Sequence, residues 1–183
     1  MQIGIASDHG GFELKEALKS FLQSMGAETV DFGSFDEVPV DYPDVGIQVA
    51  ERVSRGELER GILICGTGIG MSIVANKFPG VRAALANELY SARCSREHND
   101  ANILVLGGRI VGPGLAQEIV KIWLETPFSG GRHVRRLEKI AALERNVPRN
   151  PRPSGRGQGA QYKRNYLAEK PRPLGRGASK ANG

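Results

Sequence analysis

The chain has 183 residues and carries 25 Lys and Arg against 20 Asp and Glu, a formal charge of +5. That length suits one domain with a real core, or one domain plus an appendage. Two cysteines exclude a disulfide-stapled secreted scaffold, and a 40% apolar fraction excludes a wholly disordered chain.

A pI near 9.4 invites a nucleic-acid or membrane reading, but the charge is unevenly placed. Residues 146–183 hold nine basic residues and one acid, net +8, which leaves residues 1–145 at −3. The same segment has five of the ten prolines and repeats PRPSGRG (Pro151–Gly157) as PRPLGRG (Pro171–Gly177). The expectation is a folded domain over 1–146 and a disordered basic Pro/Gly/Arg-rich tail over 147–183. Such a tail is either simply solvated or a non-specific contact for nucleic-acid phosphates. No targeting segment precedes the first apolar run, and no stretch approaches the length of a membrane span. A cytoplasmic protein is expected.

In chain order, Gln2–Ser7 is a strand that ends at Asp8-His9-Gly10-Gly11, and Phe12 to Met25 carries a helical apolar stripe that Gly26 stops. Glu28–Phe32 is a second strand, followed by a Pro/Asp-rich loop to about Asp44 and a helix over Val45–Val53. Gly61–Cys65 is a buried strand, and the glycines at 66, 68 and 70 turn into a helix running to about Lys77. Arg82–Ala86 and Ile103–Leu106 read as strands. Tyr90–Glu97, Leu115–Leu124 and His133–Glu144 read as helices. This alternation predicts a three-layer α/β/α sandwich on a five-stranded parallel sheet, Rossmann-like, with ligands bound beyond the carboxyl ends of the strands.

The strand ends carry the chemistry. Asp8-His9-Gly10-Gly11 offers a carboxylate, an imidazole and free backbone N–H groups, although a capped helix start beside an exposed loop histidine looks the same. Cys65-Gly66-Thr67-Gly68-Ile69-Gly70 places a thiol beside a turn whose N–H groups can converge on an anion. The helix starting there favours negative charge, on a thiolate or on a developing oxyanion. A buried cysteine packing as a small hydrophobe is the plainer reading. Dinucleotide and P-loop fingerprints both fail: Met71 or Ile73 stands where the third glycine belongs, and the nearest lysine is Lys77. An acidic residue, Glu88, does follow the next strand at the distance a ribose-binding carboxylate would occupy. Arg132 and Arg136, four apart, suit a phosphate or a solvated basic face. The three histidines, far apart in sequence, give no metal-ligand spacing.

Taken together, Asp8-His9-Gly10-Gly11-Phe12, Asp41-Tyr42-Pro43, Gly61–Gly70, Ala75-Asn76-Lys77, Ser95–Asn102 and Gly130-Gly131-Arg132-His133 resemble the ribose-5-phosphate isomerase B family, which includes allose- and galactose-6-phosphate isomerases. The resemblance covers residues 2–146. It implies a metal-independent aldose–ketose isomerase without a cofactor, acting on ribose 5-phosphate and ribulose 5-phosphate, or on a six-carbon phosphosugar. It also implies a homodimer or tetramer with active sites shared between subunits. By that likeness Cys65 is the base at C2, Thr67 assists proton transfer, and the backbone of Gly66, Thr67, Gly68, Ile69 and Gly70 stabilises the enediolate. His98 opens the furanose ring, Asp8 and His9 bind sugar hydroxyls, Asn99 contacts substrate, and Arg109, Arg132 and Arg136 bind the phosphate. A family branch with serine at the cysteine position uses a glutamate on the next helix start. Met71 stands at that position here, leaving Cys65 as the base.

Overall fold

The computed structural model describes residues 2–146, so the expectation for the tail lies outside the described residues. Five strands form one sheet: β1 (Gln2–Ser7), β2 (Glu28–Asp31), β3 (Arg60–Cys65), β4 (Ala83–Leu85) and β5 (Ile103–Gly107). Every pairing is parallel, in the order β2-β1-β3-β5-β4. Six helices connect or follow them: α1 (Phe12–Ser24), α2 (Tyr42–Ser54), α3 (Ile69–Ala75), α4 (Leu89–Glu97), α5 (Pro113–Glu125) and α6 (Val134–Asn146).

The strand order and the right-handed rule for crossovers together decide which face each helix covers. The path from β1 to β2 runs one way along the sheet, and from β2 to β3 it reverses, so α1 and α2 take opposite faces. Alternation along the strands follows suit. Ile62 and Ile64 pack with Leu14, Leu18 and Leu22 of α1 and with Ile119, Val120 and Trp123 of α5. Leu63 and Cys65 face Val49 and Val53 of α2 and Met71 of α3. Both faces of the central strands are therefore buried, which is why β3 and β5 read as unbroken apolar runs.

Helix limits differ from the sequence expectation where a terminus is set by backbone rather than by periodicity. α2 begins at Tyr42, not Val45, because Pro43 occupies the first turn, where its missing N–H costs nothing. α5 likewise starts at Pro113 instead of Leu115. α3 is shorter than expected and ends at Ala75, where the Asn76 side chain bridges Ser72 O to the start of β4 at Ala83. His133 belongs to a 3₁₀ turn, Gly131–His133, ahead of α6.

One polar tie crosses the core edge. Lys15 on α1 is fully buried, and its Nζ lies 2.6 Å from Asp31 Oδ2 at the end of β2, which Lys19 Nζ also reaches at 2.6 Å. Burial alone would raise the Asp31 carboxyl. The hydrogen bonds from Lys15 and Lys19 outweigh it and hold the group below its usual value.

Candidate active site

Parallel strands send every β-to-α loop to one edge of the sheet and every α-to-β loop to the other. Asp8 and His9 follow β1, Cys65 to Gly70 follow β3, and Arg109 follows β5, so all lie on the carboxyl edge. Hydrogen bonds hold the three loops against one another. Asp8 N donates to Ile64 O at 3.2 Å, Gly108 N to Cys65 O at 2.8 Å, and Arg109 N to Gly66 O at 3.0 Å. Gly108 lets this happen, since a side chain there would strike Gly10 O at 2.6 Å.

Cys65 is buried, and its Sγ accepts the Gly68 N–H at 3.2 Å. Gly68 has φ +80 and precedes α3. Its backbone turns so tightly that a β-carbon would lie 2.4 Å from Leu85 Cδ1 and 3.0 Å from Leu106 O. Thr67 is exposed beside the sulfur loop, with Oγ1 taking the Ile69 N–H at 3.4 Å. The Tyr42 ring lies over Gly70, where a side chain would meet Cζ at 2.6 Å. Met71 is fully buried among the α2 and α3 side chains and has no part in the loop's polar face.

Asp8 does not cap the following turn. Its carboxylate is buried, and Oδ1 has no hydrogen-bond partner among the described residues, so a substrate hydroxyl is the kind of group it can take. Beside it a cavity of 580 Å³ is lined by His9, Gly10, Glu13, Glu37 and the loop Gly108–Pro113, which includes Arg109. Glu13 and Glu37 escaped the sequence reading, because one sits in a helix start and the other in a loop without a motif. Glu88 caps α4: its carboxylate takes the N–H groups of Tyr90 and Ser91, and hydrogen bonding to Ser91 holds it below the usual value. It is not the ribose-binding acid that its spacing suggested.

The remaining candidates lie elsewhere. His98 and Asn99 follow α4 and precede β5, and Arg132 and Arg136 follow α5, so these four belong to the amino edge of the sheet. Ser129 N donates to Glu97 O at 3.0 Å, joining the two segments there. The rings of His98 and His133 stack at 4.4 Å between centroids, 7° from parallel. Arg132 Nε and Arg136 Nη1 approach the two ring nitrogens of His133, each at 3.4 Å. Burial first, then His98, Arg132 and Arg136, push the His133 imidazole below its usual value, because protonating it would add a charge beside two guanidiniums. Cys65 pairs with Gly107 and Gly61 with Ile103, so the two edges are separated by four residues of strand, about 13 Å, before either loop is counted. One chain does not bring Cys65 and His98 together.

The histidine spacing also hid a cluster. Cys94, Glu97 and His98 bring one ligand atom each within 4.8 Å of one another. No helix among the described residues is long and apolar enough to cross a membrane.

A doubly wound parallel sheet with a thiol on a glycine loop at its switch point, beside a buried carboxylate, defines a small-ligand α/β enzyme. Residues 3–140 match the sequence model of the Ribose/Galactose Isomerase family, and the chain belongs to that family. It is 48% identical over 143 residues to ribose-5-phosphate isomerase B of Escherichia coli, covering 78% of this chain and 96% of that one. The ribose-5-phosphate isomerase B structure from Clostridium thermocellum superposes with a TM-score of 0.79 at 55% identity, covering 81% of this chain and all of that one. A relative from Pectobacterium atrosepticum, 43% identical over 147 residues (79% of this chain, 95% of that one), is a D-erythrulose-4-phosphate isomerase. The chain is thus an aldose–ketose isomerase of the ribose-5-phosphate isomerase B type.

Proposed function

We propose that the protein interconverts ribose 5-phosphate and ribulose 5-phosphate through an enediolate, with Cys65 as the base. The observation that carries this reading is the Gly68 N–H on Cys65 Sγ inside a glycine loop at the switch point. Isomerisation moves one proton from C2 to C1 and another between the two oxygens. It therefore needs a base, donors for the developing oxyanion, and a proton shuttle. Cys65 Sγ takes the C2 proton. In this reading the backbone of the Gly66 to Gly70 loop stabilises the enediolate oxygens, and the Thr67 hydroxyl moves the proton between them. Asp8 and His9 hold the sugar hydroxyls.

The ring-opening histidine and two of the three arginines lie on the opposite edge. In this reading a second copy of the chain supplies His98, Asn99, Arg132 and Arg136, so that the working unit is a homodimer with shared sites, alone or paired into tetramers. The substrate's chain length is the finer claim. The relative from Pectobacterium is a D-erythrulose-4-phosphate isomerase, and the family is named for galactose as well as ribose isomerases.

The test is turnover of ribose 5-phosphate in EDTA, compared with erythrulose 4-phosphate, allose 6-phosphate and galactose 6-phosphate. Ribose 5-phosphate should have the highest kcat/KM. A higher value for any of the others overturns the substrate assignment. For the basic tail over 147–183 the reading is a solvated segment without a dedicated ligand, and the alternative is non-specific nucleic-acid contact. That contact should vanish on truncation at Val147 and weaken steeply with salt.

A further inference from the structure

Cys94, Glu97 and His98 stand at positions i, i+3 and i+4 at the carboxyl end of α4, which brings their side chains to one face of the helix. Their ligand atoms lie within 4.8 Å of one another, and His98 Nε2 is 4.0 Å from Glu97 Oε2. A tetrahedral zinc ion with bonds of 2.0–2.3 Å needs ligand-to-ligand distances of about 3.5 Å. Closing that gap requires the side chains to move, and none of the three residues is fully buried. A thiol, an imidazole and a carboxylate are the donor set of a zinc-class ion rather than of calcium or magnesium.

The surroundings act on that load in both directions. Arg132 and Arg136 approach the far partner of the histidine stack, His133, and oppose a nearby cation. The thiolate and carboxylate together offset the two charges of the ion, so the loaded site is close to neutral.

We propose that Cys94, Glu97 and His98 form a binding site for a zinc-class divalent ion, and that loading it inhibits the isomerase by withdrawing His98. Binding exchanges the Cys94 thiol proton for the ion and releases that proton to solvent. With its ring nitrogen ligated, His98 can no longer exchange a proton with the furanose oxygen. The inhibitory half rests on the role given to His98 above; the site itself does not.

The full-length chain is titrated with Zn²⁺ by calorimetry and with Co²⁺ by absorption, and ribose 5-phosphate turnover is followed in parallel. One ion per chain, a thiolate-to-cobalt charge-transfer band, and a loss of turnover that EDTA reverses are expected. Cys94→Ala should keep metal-free turnover, lose the band, bind zinc about 100-fold more weakly, and resist zinc that silences the parent. Cys65→Ser should retain the band. If Cys94→Ala binds and is inhibited like the parent, the site is refuted. If the parent loads the site without losing turnover, the inhibitory half is refuted. A metal-free parent that turns over no phosphosugar would convict the functional reading instead, and the cobalt band with its loss in Cys94→Ala would still decide the site.

Discussion

Two variants that are each inactive should restore activity when they share a dimer. Cys65→Ala removes the base on the carboxyl edge, and His98→Asn removes the imidazole on the amino edge. About 13 Å of strand separates these edges within one chain. If each site takes Cys65 from one subunit and His98 from its partner, a mixed dimer carries one site with both defects and one with neither. Random pairing of equal amounts makes about half of the dimers mixed, each with one intact site of two, so turnover should recover to about 25% of the parent. The two variants are unfolded and refolded together, or co-expressed with different tags, and kcat is measured against each variant treated alone. The mixed species is then purified by both tags, which should raise recovery to about 50% per dimer. Turnover in the mixture no higher than the mean of the separate variants would refute shared sites and require Cys65 and His98 to act within one chain.

Three further outcomes follow from particular contacts. Cys65→Ala alone should lower kcat by at least about 100-fold while circular dichroism and phosphosugar binding persist; near-parent turnover would end its assignment as base. Gly68→Ala should cost about 3 kcal/mol in chemical denaturation. It forces an L-residue to φ +80 and drives a methyl to 2.4 Å from Leu85 Cδ1; a loss under 1 kcal/mol would mean that the loop relaxes freely. Asp31→Asn should cost about 2–3 kcal/mol at pH 7, less than a fully stranded buried lysine because Glu16 remains 3.0 Å from Lys15. Because the folded-state carboxyl of Asp31 lies below its unfolded value of 3.8, its contribution is present above about pH 4 and disappears as pH falls through the folded value. The parent should therefore lose stability more steeply than Asp31→Asn below pH 4, and parallel acid-unfolding curves would contradict the pairing.

The doubly wound sheet was legible because buried parallel strands leave unbroken apolar runs, as in Ile62–Ile64 and Ile103–Leu106. The glycine loop was legible because Gly68 is needed for its left-handed turn. Helix starts at Tyr42 and Pro113 were hidden, since proline breaks a periodic pattern while fitting a first turn. Cys94 was hidden too, because counting histidines by spacing overlooks a thiol and a carboxylate on the same helical face. The division of the site was available in chain order alone: a residue after a strand lies on one edge of a parallel sheet, and a residue after a helix lies on the other. The resemblance implied sites shared between subunits without saying which residues belong to which, and the strand register puts Cys65 on one edge and His98, Arg132 and Arg136 on the other.

That separation bears on the charge. The body carries −3, and the chain reaches +5 only through the +8 of residues 146–183. The carboxyl-edge cavity is lined by Arg109, Glu13 and Glu37, whose charges sum to −1. Two carboxylates against one guanidinium do not hold a phosphate dianion. At an effective dielectric of 20, each unneutralised charge about 6 Å away contributes roughly 3 kcal/mol of repulsion or attraction per unit of phosphate charge. In the proposed shared site, Arg132 and Arg136 from a second subunit would change the sum from −1 to +1 and its sign from repulsive to attractive. Phosphate affinity should therefore depend on assembly. A variant held monomeric should lose binding of the phosphorylated sugar far more than binding of free ribose, and equal losses of both would show that the carboxyl edge holds the phosphate unaided.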